Sequence, residues 1–478
     1  MTNNVRTRIE PSPSGSIHVG NARAALFNWL FARHHGGAFV LRISDTDAKR
    51  ATDENYLAVL EDMRWLGLEW DEGPEVGGPH APYRQSERFH LYTEAAEKLL
   101  ASGHAYRCYC TAEELEEERL KAQAEKRSPG YNGRCRNLSP EEIEAFEREG
   151  RPSSVRFKVP QGRTITFQDE VLGEMSTDLG LTPDYVIQRS DGSPTYMLAV
   201  TVDDIAMGMT HIIRGNDLVA STARQILIRE ALGVTELPVF AHLPLLVDEK
   251  GRPLSKRWGD VSVRAYRDEG FLPQAMVNYL ALLGWSYDDR TNIFSVDELV
   301  EKFSLERVGK NPAAFDVAKL EWINGHYIRE SDPHEIARAL VPFCEREGLP
   351  AGTDQGFAVL EKVTPLLTER MKRLTEAPPM IRFLFQKVEP DEKAAKALEG
   401  QGEYLGAVVD RLEALEKWTT AAIEEAMRAM ATERDLKPKK AFQPVRAAVT
   451  GTLVSPPLFE SLELLGRDET LARLRKFA

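Results

Sequence analysis

Thr7-Arg8-Ile9-Glu10-Pro11-Ser12-Pro13-Ser14-Gly15-Ser16-Ile17-His18-Val19-Gly20-Asn21 decides how the rest of the chain is read. Val5 to Ile9 is a short β-prone run, and two prolines and a glycine then exclude regular structure. Ala22, Ala25, Leu26, Trp29 and Leu30 recur at i, i+3, i+4, i+7 and i+8, which predicts a helix from about Asn21 to His35, stopped by Gly36-Gly37. Ala38-Phe39-Val40-Leu41-Arg42-Ile43 is a nearly continuous apolar run, as expected of a strand buried on both faces. Strand, loop, helix and strand in this order make a βαβ unit, the start of a doubly wound parallel sheet.

The sheet resumes much later. His211-Ile212-Ile213-Arg214 reads as a strand, Thr222 to Leu232 as a helix and Val239 to Val247 as one strand. Between the halves lies an α+β insert, with helical segments near Glu87–Leu100 and Ala112–Lys126, β-prone pieces at Val155–Val159 and Arg163–Phe167, and a turn at Asp191-Gly192. After Phe271 the pattern is helical, punctuated by Pro312, Pro333, Pro350 and Pro378-Pro379. The expected fold class is therefore multidomain: a Rossmann-type α/β sheet split by an α+β insert, then an all-α region.

Bulk composition agrees but does not choose a function. The chain has 478 residues, 42% hydrophobic and 28% charged, the balance of a globular protein of several domains. No run approaches the length a membrane helix needs, so no membrane association is expected. Met1 to Arg8 lacks the apolar core of a secretory signal, and four cysteines form no disulfide framework, so a cytoplasmic location is expected. A net charge of −13 argues against a general nucleic-acid coat protein, although a local basic track can still hold phosphates.

Two segments have the chemistry of phosphate handling. His18-Val19-Gly20 opens a helix after a loop at the carboxyl edge of a parallel sheet, where the helix N-terminus offers N–H groups to a phosphate. Leu254-Ser255-Lys256-Arg257 puts two cations in a loop between Gly251 and Gly259, suited to charge building on an α-phosphate. Alone, each is more often an ordinary turn or surface loop. Together they resemble the HIGH and KMSKS signatures of class I aminoacyl-tRNA synthetases, in order and with a split sheet between them. Arg42-Ile43-Ser44-Asp45-Thr46-Asp47, Pro82 to Arg88, Ser190 to Tyr196 and Asn324 to Arg329 narrow the resemblance to the glutamyl-tRNA synthetase family, from about Thr7 to the C-terminus.

The resemblance implies a catalytic domain in two halves (1–85 and 196–250), an acceptor-end insert (86–195), a stem-contact domain with the lysine loop (251–331) and a helical anticodon-binding domain (332–478, with a break near 379). It implies ATP-dependent activation of L-glutamate and transfer to the 3′ end of the glutamate tRNA, with Mg²⁺, by a monomer. ATP would be held by Ser12, His18, Gly20, Ser255, Lys256 and Arg257, with His18 and Lys256 catalytic. Arg8 and Tyr196 would meet the side-chain carboxylate, Arg214 would stand in the amino-acid site, and Ser12 would be nearby. Two positions depart from the family pattern: Ser44 replaces the usual glutamate, and Glu10 the usual alanine. Either the carboxylate that meets the substrate ammonium has moved from position 44 to position 10, or Ser44 weakens binding and Glu10 faces solvent.

Cys108-Tyr109-Cys110, Tyr131 and Cys135 resemble a zinc site that some relatives complete with tyrosine; a metal-free insert with buried thiols is the competing reading. Cys344 reads as core. Arg434, Lys437, Lys439, Lys440 and Arg446, with Phe442 among them, form either a tRNA track or a solvated linker, and Arg370 is similar to the arginine with which relatives reject the glutamine anticodon. The alternatives are a non-discriminating enzyme that also charges the glutamine tRNA and a non-catalytic tRNA-binding paralogue. Retention of both phosphate motifs argues against the paralogue.

Overall fold

The computed structural model describes residues 5–47, 51–126, 130–254 and 261–478. Ser255, Lys256 and Arg257 lie outside the described residues. The chain forms two compact units, Met1–Ala265 with Val277–Asp316, and Tyr266–Met276 with Val317–Ala478.

The first unit opens with β1 (Arg6–Ile9), α1 (Val19–His34) and β2 (Ala38–Leu41), with β1 and β2 parallel and Arg6 opposite Ala38. The helix starts two residues earlier than its apolar spacing predicts, because His18 caps it: its ring Nδ1 accepts from the Gly20 N–H at 3.1 Å. Next come α2 (Asp53–Trp65), α3 (Phe89–Ala101), β3 (Ala105–Cys108), α4 (Ala112–Ala124), α5 (Pro140–Arg148) and β4 (Ser154–Phe157). A hairpin of β5 (Thr164–Asp169) and β6 (Gly173–Asp178) precedes β7 (Tyr185–Gln188), α6 (Tyr196–Ala206), β8 (His211–Gly215), α7 (Val219–Ala231) and β9 (Val239–Leu243).

Strand β8 runs parallel to β9 and beside β1, where the Thr210 N–H donates to the Arg6 carbonyl at 3.1 Å. Asn28 of α1, fully buried, fastens the helix to the sheet: its Nδ2 donates to the Ile213 carbonyl at 2.8 Å, and its own carbonyl accepts from Thr7 Oγ1 at 2.9 Å. Within the insert, β3, β4 and β7 form an antiparallel sheet. The other insert hairpin goes elsewhere. Asp169, the last residue of β5, stands opposite Phe240 of β9, so the hairpin extends the main sheet.

The single strand expected over Val239–Val247 is two, Val239–Leu243 and Leu246–Val247. Pro244 between them has no N–H for a ladder. Among the described residues no strand follows Ala314. The second unit is helical, and its C-terminal helices bury Leu405, Val408, Leu412, Ile423, Met427, Val445, Leu462 and Leu474 against one another. Pro378 and Pro379 punctuate the helical pattern as expected. They sit at the start of the helix Ala377–Phe385, where a missing N–H has no helical partner to lose. No helix among the described residues is long and apolar enough to cross a membrane.

Gly37 joins α1 to β2 so closely that a Cβ there would lie 2.2 Å from the Val5 carbonyl oxygen, which is backbone and cannot swing away. Gly37→Ala is therefore expected to destabilise the first unit by about 2 kcal/mol, read as a lowered urea midpoint for unfolding; an unchanged midpoint would show that the β1–β2 start is pliable.

Candidate active site

A cavity of about 350 Å³ opens at the carboxyl ends of β1 and β8. Its wall includes Arg8, Glu10, His18, Gly20, Arg23, Tyr196 and Arg214, together with Pro244, Pro253 and Leu254. This is the crevice in which parallel α/β sheets bind ligands.

Behind one wall lies a buried ionic network. Arg8, near the end of β1, directs Nε and Nη2 to Asp204 of α6 at 3.1 and 3.2 Å, and its Nη2 is 3.6 Å from Glu10. Arg42, just beyond β2, binds Glu10 and also Asp204 at 2.9 Å, with Asp203 3.5 Å away. Asp203 accepts from Arg88 Nε at 2.7 Å, Tyr92 Oη at 2.9 Å and Gln85 Nε2 at 3.0 Å. Arg8, Arg42 and Arg88 thus face Glu10, Asp203 and Asp204, and the formal charges cancel. Burial opposes ionisation of both Arg8 and Arg42, but Asp204 and Glu10 outweigh it and hold their pKa values above the ordinary arginine value.

The two unusual positions are placed differently. Glu10 lies on the cavity wall with its carboxylate on Arg42 and Arg8, so it does not face solvent. Ser44 donates to Gln85 Oε1 at 2.9 Å and is not part of the wall. Ser12 is exposed and is not part of it either.

Across the cavity, Tyr196 begins α6 and Arg214 lies near the end of β8. Arg214 Nε donates to His242 Nε2 at 3.1 Å and its Nη2 to Thr222 Oγ1 at 2.9 Å. Its Nη1, like the Tyr196 hydroxyl, is buried without a hydrogen-bond partner among the described residues. Burial lowers the Arg214 pKa, and among the described residues no ion pair forms on it. Burial, with Glu10 nearby, pushes the Tyr196 hydroxyl up to about 12, so it is a neutral donor. Two orphan donors on a cavity wall are an acceptor site for an anion.

At the other end, the Pro-rich loop is tied to the segment following the lysine loop. The Val19 N–H donates to the Val261 carbonyl at 3.0 Å and the Val263 N–H to the Ile17 carbonyl at 2.8 Å. Ser16 Oγ donates to Asp62 at 2.6 Å and accepts from the Arg264 N–H at 3.1 Å. Pro253 and Leu254 line the cavity. Arg23, not singled out from the sequence, is buried here, donating to the carbonyls of Pro244 and Leu283 and with no carboxylate partner among the described residues. Burial pulls its pKa down to about 10, which leaves a full positive charge at neutral pH. A signal was available: Arg23 falls on the apolar stripe of α1, where a cation needs a reason. His242 and Asp169 were also missed. One is a histidine inside an apolar strand; the other reaches the sheet only through a long-range pairing.

In the insert, the Sγ atoms of Cys108, Cys110 and Cys135 lie within 4.8 Å of one another. Tyr131 Oη is 3.5 Å from Cys108 Sγ and 3.9 Å from Cys110 Sγ. Cys344 is buried in the helix Pro333–Arg346. In the second unit, Arg370 is exposed, and so are Arg434, Lys437, Lys439 and Lys440. The last three stand at the start of the helix Pro438–Thr450, so this stretch is not a linker. Arg446 leaves the expected track: it binds Ser455 and the Pro456 carbonyl. Phe442 packs against Phe459, ring centroids 5.2 Å apart.

Residues 4–322 match the family model described as the catalytic domain of class I tRNA synthetases (E and Q), and residues 335–478 match an anticodon binding domain. A glutamate–tRNA ligase of Nocardioides sp. is 47% identical, over 98% of this chain and 98% of the relative. One from Moorella thermoacetica is 44% identical, over 100% and 98%. A crystal structure of a glutamate tRNA ligase from Elizabethkingia meningosepticum, in complex with its amino acid, aligns with a TM-score of 0.86 at 33% identity, covering 99% of each chain.

Asp204→Ala leaves Arg8 and Arg42 sharing Glu10. A buried network broken on one side is expected to lose about 3–5 kcal/mol, measured by urea unfolding of the first unit. A loss below about 1 kcal/mol would mean that water replaces the carboxylate.

Proposed function

The chain belongs to the class I tRNA synthetases of the glutamate and glutamine group and acts as a glutamate–tRNA ligase, and we propose that the residues around the cavity divide its reaction as follows. A substrate carboxylate lies against Arg214 Nη1 and the Tyr196 hydroxyl, with Arg8 behind them, and the substrate ammonium meets Glu10. The observation that carries this reading is the pairing of two unpartnered buried donors with a carboxylate on the same cavity wall. An anionic side chain and an ammonium on one small molecule complement that arrangement.

The nucleotide end suits a polyphosphate brought in as its Mg²⁺ complex: the Arg23 charge and the dipole at the start of α1 favour anions, while the first N–H groups of that helix are taken by Val261 and His18. Mg²⁺ supplies charge neutralisation on the departing pyrophosphate. In the first step an oxygen of the glutamate α-carboxylate bonds to the α-phosphorus of ATP, and the bond to pyrophosphate breaks. In the second, the terminal ribose hydroxyl of the tRNA bonds to the acyl carbon, its proton is lost, and AMP leaves with the bonding pair. No side-chain nucleophile is needed. His18, whose Nδ1 accepts from Gly20 and is therefore neutral, positions the phosphates, Lys256 neutralises them, and Ser255 and Arg257 bind beside Lys256. Residues 86–195 meet the acceptor end of the tRNA, and Arg370 with Lys437, Lys439 and Lys440 meets its anticodon end. The three lysines repel the positive start of their own helix, which an incoming phosphate would relieve.

The cysteine cluster fits zinc. Three soft thiol sulfurs and a tyrosine oxygen stand close together, a donor set of four. Zinc there would be held by Cys108, Cys110, Cys135 and Tyr131, and would cross-link β3 to the segment leading to α5.

Glu10→Ala is expected to raise the glutamate KM roughly tenfold or more, since a charge-assisted hydrogen bond is lost, with the ATP KM held within about twofold, in ATP–pyrophosphate exchange with tRNA present; an unmoved glutamate KM would remove Glu10 from the site. Charging of purified glutamate and glutamine tRNAs with labelled glutamate tests the whole reading. Charging of the glutamate tRNA alone would fit Arg370 as a gatekeeper, charging of both would remove that role, and charging of neither would remove the catalytic reading. Metal analysis of protein purified without chelator should find about one zinc per chain, lowered by Cys135→Ser. Metal-free protein would leave a thiol cluster only.

A further inference from the structure

Arg214 stands at the end of a chain of hydrogen bonds that begins in the insert. His242 of β9 is fully buried, and its ring meets Arg214 on one side and Asp169 on the other. A guanidinium can only donate, so the Arg214 Nε–H at 3.1 Å requires a lone pair on His242 Nε2. The ring proton is therefore on Nδ1, which donates to Asp169 Oδ2 at 2.5 Å. The other carboxylate oxygen, Oδ1, is held by the N–H groups of Val171 at 3.0 Å, Leu172 at 2.8 Å and His242 itself at 3.3 Å. Thr222 of α7 accepts from Arg214 Nη2 at 2.9 Å. Together, His242 and Thr222 take up Nε and Nη2 of the guanidinium, and Nη1 is the group left without a partner among the described residues, on a residue that lines the cavity.

We infer that Asp169 and His242 are positioning residues that hold Arg214 for the substrate carboxylate and keep its charge uncommitted. This rests on the reading of Arg214 as the carboxylate ligand. The logic is electrostatic. A carboxylate bound directly to Arg214 would neutralise it, as Asp204 does for Arg8. Placing a neutral imidazole between Arg214 and Asp169 orients the guanidinium while the negative charge stands one ring further away. The groups around the ring agree: Asp169 from β5, Arg214 from β8, Thr222 from α7, and the charge of Arg8 from β1. Burial and the two arginines disfavour an imidazolium, and they outweigh the pull of Asp169. An arginine held uncommitted favours glutamate over glutamine, whose amide cannot neutralise it.

The test is ATP–pyrophosphate exchange by the full chain with tRNA present, in four variants. His242→Leu should raise the glutamate KM about tenfold or more while the ATP KM stays within about twofold, and it should reduce the preference for glutamate over glutamine. His242→Gln can still accept from Arg214 and donate to Asp169, and should return the glutamate KM to within about threefold of the parent. Asp169→Asn keeps its oxygen on the three N–H groups and turns its amide to the ring, which forces the other tautomer and sets two donors face to face at Arg214. It should match His242→Leu even if that variant folds poorly. A glutamate KM within twofold of the parent in both His242→Leu and Asp169→Asn would overturn the relay. Arg214→Lys separates the two readings: an unchanged glutamate KM in that variant would remove Arg214 from the site, whereas a raised KM there with none in the other two would overturn the relay alone.

Discussion

The carboxylate of Asp204 is the constraint on which this site depends. It lies between Arg8 and Arg42, with the first arginine on β1 and the second just beyond β2, while Asp204 itself comes from α6. One buried charge thus joins chain segments nearly two hundred positions apart behind the cavity wall. Neither arginine could be buried there without it, because an uncompensated cation in a low-dielectric interior costs several kcal/mol. Asp203 does the same for Arg88 and Arg42, and brings in Tyr92 and Gln85. The split sheet is therefore closed by ion pairs at the place where ligand chemistry is needed, and by apolar packing elsewhere.

The network also separates the arginines into kinds. Arg8, read from the sequence as a substrate ligand, reaches the cavity wall with its charge already answered by Asp204 and Glu10. Arg214 reaches it with neutral partners, His242, Thr222 and the Leu218 carbonyl, among the described residues. Arg23 reaches the far end with carbonyls and, among the described residues, no carboxylate. These differences follow from the neighbour of each guanidinium. The residues look alike in sequence, and a one-dimensional reading has no means of ranking them.

The part of the fold that rests on local pattern was legible in the sequence. The βαβ unit could be read because its helix repeats at 3.6 and its second strand is apolar throughout, and the helical second unit for the same reason. Boundaries slipped where one side chain decided them, as at the His18 cap and at Pro244. What could not be read were long-range pairings. Asp169 belongs to a segment that looks like part of an insert, yet it borders β9 and bonds the His242 ring that meets Arg214. Nothing near Asp169 in the chain points to His242. Ser12 and Ser44 were singled out by position in a motif, and the structure turns one to solvent and the other to Gln85.

Glu10 shows how the same network bears on substrate binding. Its carboxylate already bonds Arg42 and lies near Arg8, so an arriving ammonium would find an acceptor with oxygen lone pairs to share. Two cations on one side of a carboxylate and a third on the other make a poor arrangement unless a further anion is close. Asp204 is that anion: it answers Arg8 and Arg42 from beneath and leaves Glu10 able to face the cavity. A carboxylate at position 44 would have had Gln85 beside it, whose amide is occupied by Asp203. Moving the charge to position 10 places it over the arginine pair that Asp204 already balances. If the substrate ammonium meets Glu10 as proposed, the departure at two sequence positions is a single electrostatic change, with Asp204 balancing the arginines that Glu10 also meets.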